Sequence, residues 1–220
     1  MTFTHTLADP RVATTLSRMF TLADLDGSTQ TRTRAQHPGR PEPKTPQELA
    51  DATSELYMPI SAEGGQLLYN LVRAVRPATV VEFGMSFGVS TLHLAAAVRD
   101  NGSGRVVTTE LNKDKVTAAR RTFSETGLDD VVTVVEGDAL ETLAGLDAPA
   151  DFVLLDGWKD LCLPVLRLLE PHLAPGTLVV ADDVNLSSLL PYLEYVRTPA
   201  NGYHSVTFPV DDGMEISCRL

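Results

Sequence analysis

Cysteine, tryptophan and positive charge are what this sequence of 220 residues has little of. Its two cysteines, Cys162 and Cys218, stand far apart and outside any Cys-x-x-Cys pair. They exclude a disulfide framework and leave a reduced, cytoplasmic protein as the expectation. Lysine and arginine number 18 against 29 aspartates and glutamates, a formal charge of −11. Such a balance repels phosphate backbones and anionic membranes, so neither nucleic acid nor a lipid surface is an expected partner. No apolar run approaches the length of a bilayer span. The opening MTFTHTLADPRV has no basic stretch followed by an apolar one, so no signal peptide is expected. The five histidines show no ligand spacing, and His93, in an apolar stretch, reads as a packed core residue. What remains is a hydrophobic content of 43%, ordinary for one globular domain with a full core.

Apolar residues at Val12, Leu16, Met19, Phe20 and Leu22 fall near helical spacing over 10–25. Residues 26–46 differ: they are rich in Pro, Gly and Thr, carry Arg32, Arg34 and Arg40, and have almost no apolar side chains. They are expected to form a loop, either a solvated surface segment or a lid. Helices are expected over 46–57 and 62–75. From Thr79 the chain alternates. Strands read at 79–83, 105–109, 131–136, 151–155 and 177–181, and helices at 88–99, 113–126, 139–146, 161–173 and 187–196. Short apolar strands between helices make an α/β, doubly wound, Rossmann-like sheet. The end changes character: 203–208 and 214–219 flank PVDDG, a hairpin that places one antiparallel strand in an otherwise parallel sheet of seven. Residues 1–60 are expected as a helical and loop segment, a lid or a dimer arm, ahead of the main domain at 61–220.

Acidic residues punctuate the strand ends. DFVLLDGWKD puts Asp156 at one strand end with Trp158 and Lys159 behind it, and LVVADDV puts Asp182 and Asp183 at another. Ligands of open α/β sheets bind at the carboxyl ends of strands. Three carboxylates gathered there suit a hard divalent cation, beside a flat ring. VVEFGMSFGVS runs from a strand through Gly84 and Gly88 into a helix. Its spacing is Glu-x-Gly-x-x-x-Gly, not the Gly-x-Gly-x-x-Gly of dinucleotide binders. Glu82 beside that loop would repel phosphate and attract an ammonium group. The next strand ends in Glu110, placed to accept both hydroxyls of a ribose. The third ends before Asp138 and Ala139, where an adenine edge would be read. Taken singly, Asn112 and Asp138 also read as helix caps. Jointly the acids fit S-adenosylmethionine.

On these residues the chain resembles the class I methyltransferases, and within them the metal-dependent O-methyltransferases of the catechol O-methyltransferase type. The stretches GGQLL, VVEFGMSFGVS, TTELN, FVLLDGWKDLCLPVL, APGTLVVADDV and PVDDGMEIS keep that family's order and spacing. The resemblance covers roughly Gly65 to the C-terminus. It implies that Asp156, Asp182 and Asp183 hold Mg²⁺, that Lys159 is the general base, and that Trp158 lies against the adenine. Glu82, Gly84, Ser90 and Glu110, with Leu111 beside it, would hold the methionine and ribose parts. It further implies a small aromatic vicinal diol as acceptor, and a dimer as a common family state. The sequence departs from the pattern twice. Asp183 stands where the family usually has Asn, and the acid that clamps the second hydroxyl of the acceptor has no match near Val206. Competing readings are a dinucleotide oxidoreductase, a metal-independent methyltransferase and a relative that binds the cofactor without transferring methyl.

Overall fold

The computed structural model describes residues 5–36 and 45–220, with the helix backbone alone over 27–36. The central strands TVVEF and ADFVLL are buried along almost their whole length, as strands covered on both faces require. β1 (Thr79–Phe83), β2 (Arg105–Glu110), β3 (Val132–Glu136), β4 (Ala150–Leu155) and β5 (Leu173–Ala181) run parallel. β6 (Tyr203–Phe208) and β7 (Met214–Arg219) form the closing hairpin, and β7 enters antiparallel between β5 and β6. The order is β3-β2-β1-β4-β5-β7-β6, a sheet of seven strands with one of them reversed. The strand order turns between β1 and β4, which marks the crevice where ligands of such sheets sit.

Period-two alternation sorts strand side chains into two cores. Val80, Phe152, Leu154 and Val180 face one side, joined by Leu68 and Val72 of α3 (Ala62–Val75) and Leu92 and Ala95 of α4 (Val89–Asn101). Val81, Phe83, Val153, Leu155 and Val179 face the other, against Val165, Leu166 and Leu169 of α7 (Cys162–Leu169) and Tyr192 of α8 (Leu190–Val196). α3 and α4 pack closely because Gly65 makes room for the His93 ring; a Cβ there would lie 2.5 Å from it. His93 is indeed buried, as expected of a core residue. The remaining helices are α1 (Pro10–Gln36), α2 (Pro46–Ala52), α5 (Lys113–Thr126) and α6 (Ala139–Thr142).

Three expectations are corrected. α1 continues to Gln36 instead of ending near residue 25, so the first part of the expected loop is helical. Between Pro10 and Pro38 there is no proline to stop it, and Pro38 disfavours helix just before itself. Residues 37–44, with Arg40, lie outside the described residues, as do the side chains of Arg32 and Arg34. α2 stops at Ala52 instead of Tyr57: the Thr45 cap and Glu48 close a capping box at its start, but Thr53 leaves helical geometry. β5 begins at Leu173 rather than Thr177: Leu173 already pairs with Ala150, and the chain then bulges, with Gly176 at φ 92°, before Leu178 pairs with Phe152. The segment ahead of residue 61 shares the main core through Val12, Leu16, Met19 and Ile60.

Candidate active site

Strand register lines up the site. Phe83 pairs with Thr109 and Leu155, Glu110 with Glu136, and Leu155 with Ala181. The residues that follow, Gly84, Glu110, Asp156 and Asp182, therefore stand side by side along one edge of the sheet. Asp156 N–H still donates to the Phe83 carbonyl at 2.8 Å, so the acid leaves the sheet in a fixed direction. A cavity of about 270 Å³ opens above this edge. It is lined by Gly84, Glu110, Leu111, Asp138, Ala139, Asp156, Trp158, Lys159 and Asp183, all singled out in the sequence. Pro46, Ala50, Thr53 and Met58 of the N-terminal segment add another wall.

In the carboxylate half, Asp156, Asp182 and Asp183 bring ligand oxygens within 4.8 Å of one another. Lys159 Nζ lies 2.8 Å from Asp156 Oδ1 and 3.0 Å from Asp183 Oδ2. Burial, together with the charges of Asp156 and Asp183, pushes Asp182 up to about 7. Burial likewise raises Asp156, with the Lys159 ammonium opposing it. Burial pulls Lys159 down, but the two carboxylates outweigh it and hold the ammonium above the ordinary lysine range. One lysine against three carboxylates leaves excess negative charge in a poorly solvated place, which a dication would balance. The all-oxygen donor set fits a hard cation. Asp183 occupies left-handed backbone, φ 60°. Asp and Asn enter that region far more readily than other side chains, so either residue suits this turn.

The other half is built from backbone donors. Glu110 accepts from the N–H groups of Ser86 (2.8 Å), Leu111 (2.9 Å) and Asn112 (2.8 Å), tying the loop after β1 to the end of β2. Asp138 caps α6 through Leu140 N–H, at 2.8 Å, while still lining the cavity. Its capping and binding readings are therefore compatible.

Glu82 does not line the cavity. It lies on β1, fully buried, where the hydroxyls of Ser90, Thr91 and Thr108 all donate to its carboxylate. Burial raises it to about 7 despite those donors. The expected open acid beside the loop is instead a group enclosed below it. Ser90 is turned toward Glu82 but also borders a small recess next to the cavity, with Tyr57, Met58 and Phe87. Two contributors escaped the sequence reading. Gly157 lets the end of β4 pass the Phe83 ring, and a Cβ would lie 2.4 Å from it. A glycine directly after a strand-end acid was the available signal. Lys115 lines the cavity from α5, where a helical lysine ordinarily reads as solvated.

A family model described as a methyltransferase domain matches residues 81–184. Catechol O-methyltransferase from Sus scrofa is 33% identical over 150 residues, which are 65% of this chain and 80% of that protein. The chain belongs to the O-methyltransferases of the catechol O-methyltransferase type. Catechol O-methyltransferase B from Danio rerio, 33% identical over 181 residues, extends the likeness to 76% of this chain and 67% of that protein. Among solved structures, a methyltransferase from Geobacter sulfurreducens superposes with a TM-score of 0.67 at 28% identity. That match covers 86% of this chain and 97% of the other. This O-methyltransferase is thus a class I, S-adenosylmethionine-dependent enzyme on the doubly wound sheet expected of it. Among the described residues no helix is long and apolar enough to cross a membrane.

Proposed function

We propose that this enzyme moves the methyl group of S-adenosylmethionine to one hydroxyl of a small aromatic vicinal diol, with Mg²⁺ or a similar cation required. The observation that carries the reading is the carboxylate triad within 4.8 Å, of which Asp156 and Asp183 are bridged by Lys159 and line the same cavity as Glu110 and Asp138, with Asp182 buried behind them. In it, Glu110 receives the ribose hydroxyls, Asp138 and Ala139 meet the adenine edge, and Trp158 covers the base. Gly84 and Ser90 border the methionine end, with Glu82 supporting Ser90 from below. Asp156, Asp182 and Asp183 would hold the cation, which when bound chelates vicinal oxygens and lowers the pKa of the acceptor hydroxyl.

The transfer itself is an in-line displacement. The acceptor oxygen forms a bond to the methyl carbon as the carbon–sulfur bond breaks, and sulfur keeps the electron pair as a neutral thioether. The protein must align the two partners and exclude water; ideal alignment is worth up to about 7–11 kcal/mol. Lys159 Nζ takes the hydroxyl proton. That role needs the aspartate charges to be compensated, because uncompensated they keep the ammonium protonated. Within the N-terminal segment, the stretch 46–58 that lines the cavity acts as the lid over the acceptor, and a homodimer belongs to the same reading, checked by light scattering.

The test is methyl transfer to a panel of catechols and single phenols, with Mg²⁺ and then with EDTA. Loss of turnover in EDTA and preference for vicinal diols are expected. Lys159→Met should lower kcat by at least about a hundredfold while cofactor affinity stays within about threefold. Turnover indifferent to EDTA would remove the cation from the reading. Failure with every vicinal diol would remove the acceptor class.

A further inference from the structure

Lys115 carries a charge in a place that does not favour one. It lies in the first turn of α5 and is 2% exposed. Burial disfavours an ammonium, and so does the positive end of a helix dipole. A methionine of similar shape would pack there at less cost. What surrounds the ammonium belongs to the cavity. Lys115 Nζ donates to Ser86 Oγ at 3.1 Å and lies 5.3 Å from the centre of the Phe87 ring. Glu110 and Asp26 are close enough for their charges to act on it, opposing the burial that lowers its pKa.

Ser86 is the residue this arrangement fixes. Its backbone is left-handed, φ 50°, which a serine adopts only at some cost. Two interactions hold it there: its N–H on Glu110 and its hydroxyl on Lys115. Phe87, next in the chain, stacks on Tyr57 at 4.2 Å, and Tyr57 N–H donates to Asp26. The lysine thus joins the loop after β1, the ribose acid and the N-terminal segment.

We propose that Lys115 is a positioning residue for the cofactor: its ammonium holds Ser86 and Glu110 in the arrangement that S-adenosylmethionine binds. The inference rests on the cofactor placement proposed above. It acts on cofactor binding, not on the chemical step, and it is retained at the expense of stability.

The experiment is calorimetric titration of S-adenosylmethionine into wild type, Lys115→Met and Ser86→Ala, with thermal melts of the unliganded proteins and steady-state kinetics. Lys115→Met is expected to weaken cofactor binding roughly tenfold or more, the scale of one hydrogen bond to a charged group. KM for the cofactor should rise with kcat within about twofold, and the melting temperature should stay level or rise. Ser86→Ala should weaken binding as well, and adding it to Lys115→Met should cost nothing further. Cofactor binding within twofold of wild type in a folded Lys115→Met would overturn the proposal. If that variant does not fold, Ser86→Ala with unchanged affinity overturns it instead. A wild type that binds no S-adenosylmethionine would sink the cofactor placement itself, and this inference with it.

Discussion

Gly84 and Gly157 touch where β1 and β4 leave the sheet, and neither tolerates a side chain. A Cβ on Gly84 would lie 2.4 Å from Gly157 N, and its φ of 96° is in any case unsuited to other residues. Gly157→Ala is expected to destabilise the protein by about 1–3 kcal/mol through overpacking against Phe83, read by urea unfolding. Two buried groups set opposite pH trends. Burial lowers the pKa of His93 below the 6.5 of the unfolded chain. The unfolded state then binds more protons, so the stability from neutral His93 is complete above 6.5 and lost as pH falls toward the folded value. Glu82 rises from 4.5 to about 7, so the folded state binds the extra proton. Its contribution is complete below 4.5 and is lost as pH climbs through 7. Unfolding of His93→Leu should lose the acid-side slope, and Glu82→Gln should flatten the decline between 4.5 and 7.

At the scale of elements, a buried carboxylate and its counter-charge help hold the closing hairpin. Glu215 of β7 is buried, and Arg197, just after α8, donates to both its oxygens at 2.8 Å. Thr207 of β6 adds a third donor at 2.6 Å. Arg197→Ala leaves that carboxylate without its counter-charge and should cost about 2–4 kcal/mol in denaturant titration, the pair being partly open to solvent. The elements themselves were largely legible. Runs such as TVVEF and FVLL are unbroken because both faces of β1 and β4 are covered, and PVDDG announced the hairpin. Helix ends were read less well. TQTRTRAQ has the composition of a loop, yet nothing in it forbids helix until Pro38. In the site, the strand-end acids Glu110, Asp156, Asp182 and Asp183 could be read because a charge after an apolar run is conspicuous. Glu82 could not be placed, because its enclosure depends on hydroxyls from α4 and β2 that no local pattern links to it. Lys115 was missed for the same reason, its partners lying on the loop after β1.

For the molecule as a whole, three of the 29 acidic residues gather within 4.8 Å, where the proposed cation would sit. Mg²⁺ should raise the melting temperature beyond an equal ionic strength of NaCl, and Asp182→Asn should reduce that difference. S-adenosylmethionine at a hundred times its Kd should add about 2.7 kcal/mol, a rise of roughly 5–11 °C for a chain of this size. Differential scanning fluorimetry reads both. The strand order has a consequence for how such an enzyme changes over time. Glu110 ends β2 and Asp138 follows β3, on one side of β1; Asp156, Asp182 and Asp183 follow β4 and β5, on the other. Met58 and Leu186, which also line the cavity, lie on connecting segments outside every strand. Drift in those segments alters which acceptor fits without touching a single sheet hydrogen bond, and the group donor stays the same while it happens. Diversification of this scaffold is therefore lopsided: the connecting segments of the rim can be rewritten, while the strand ends that carry the acids are held.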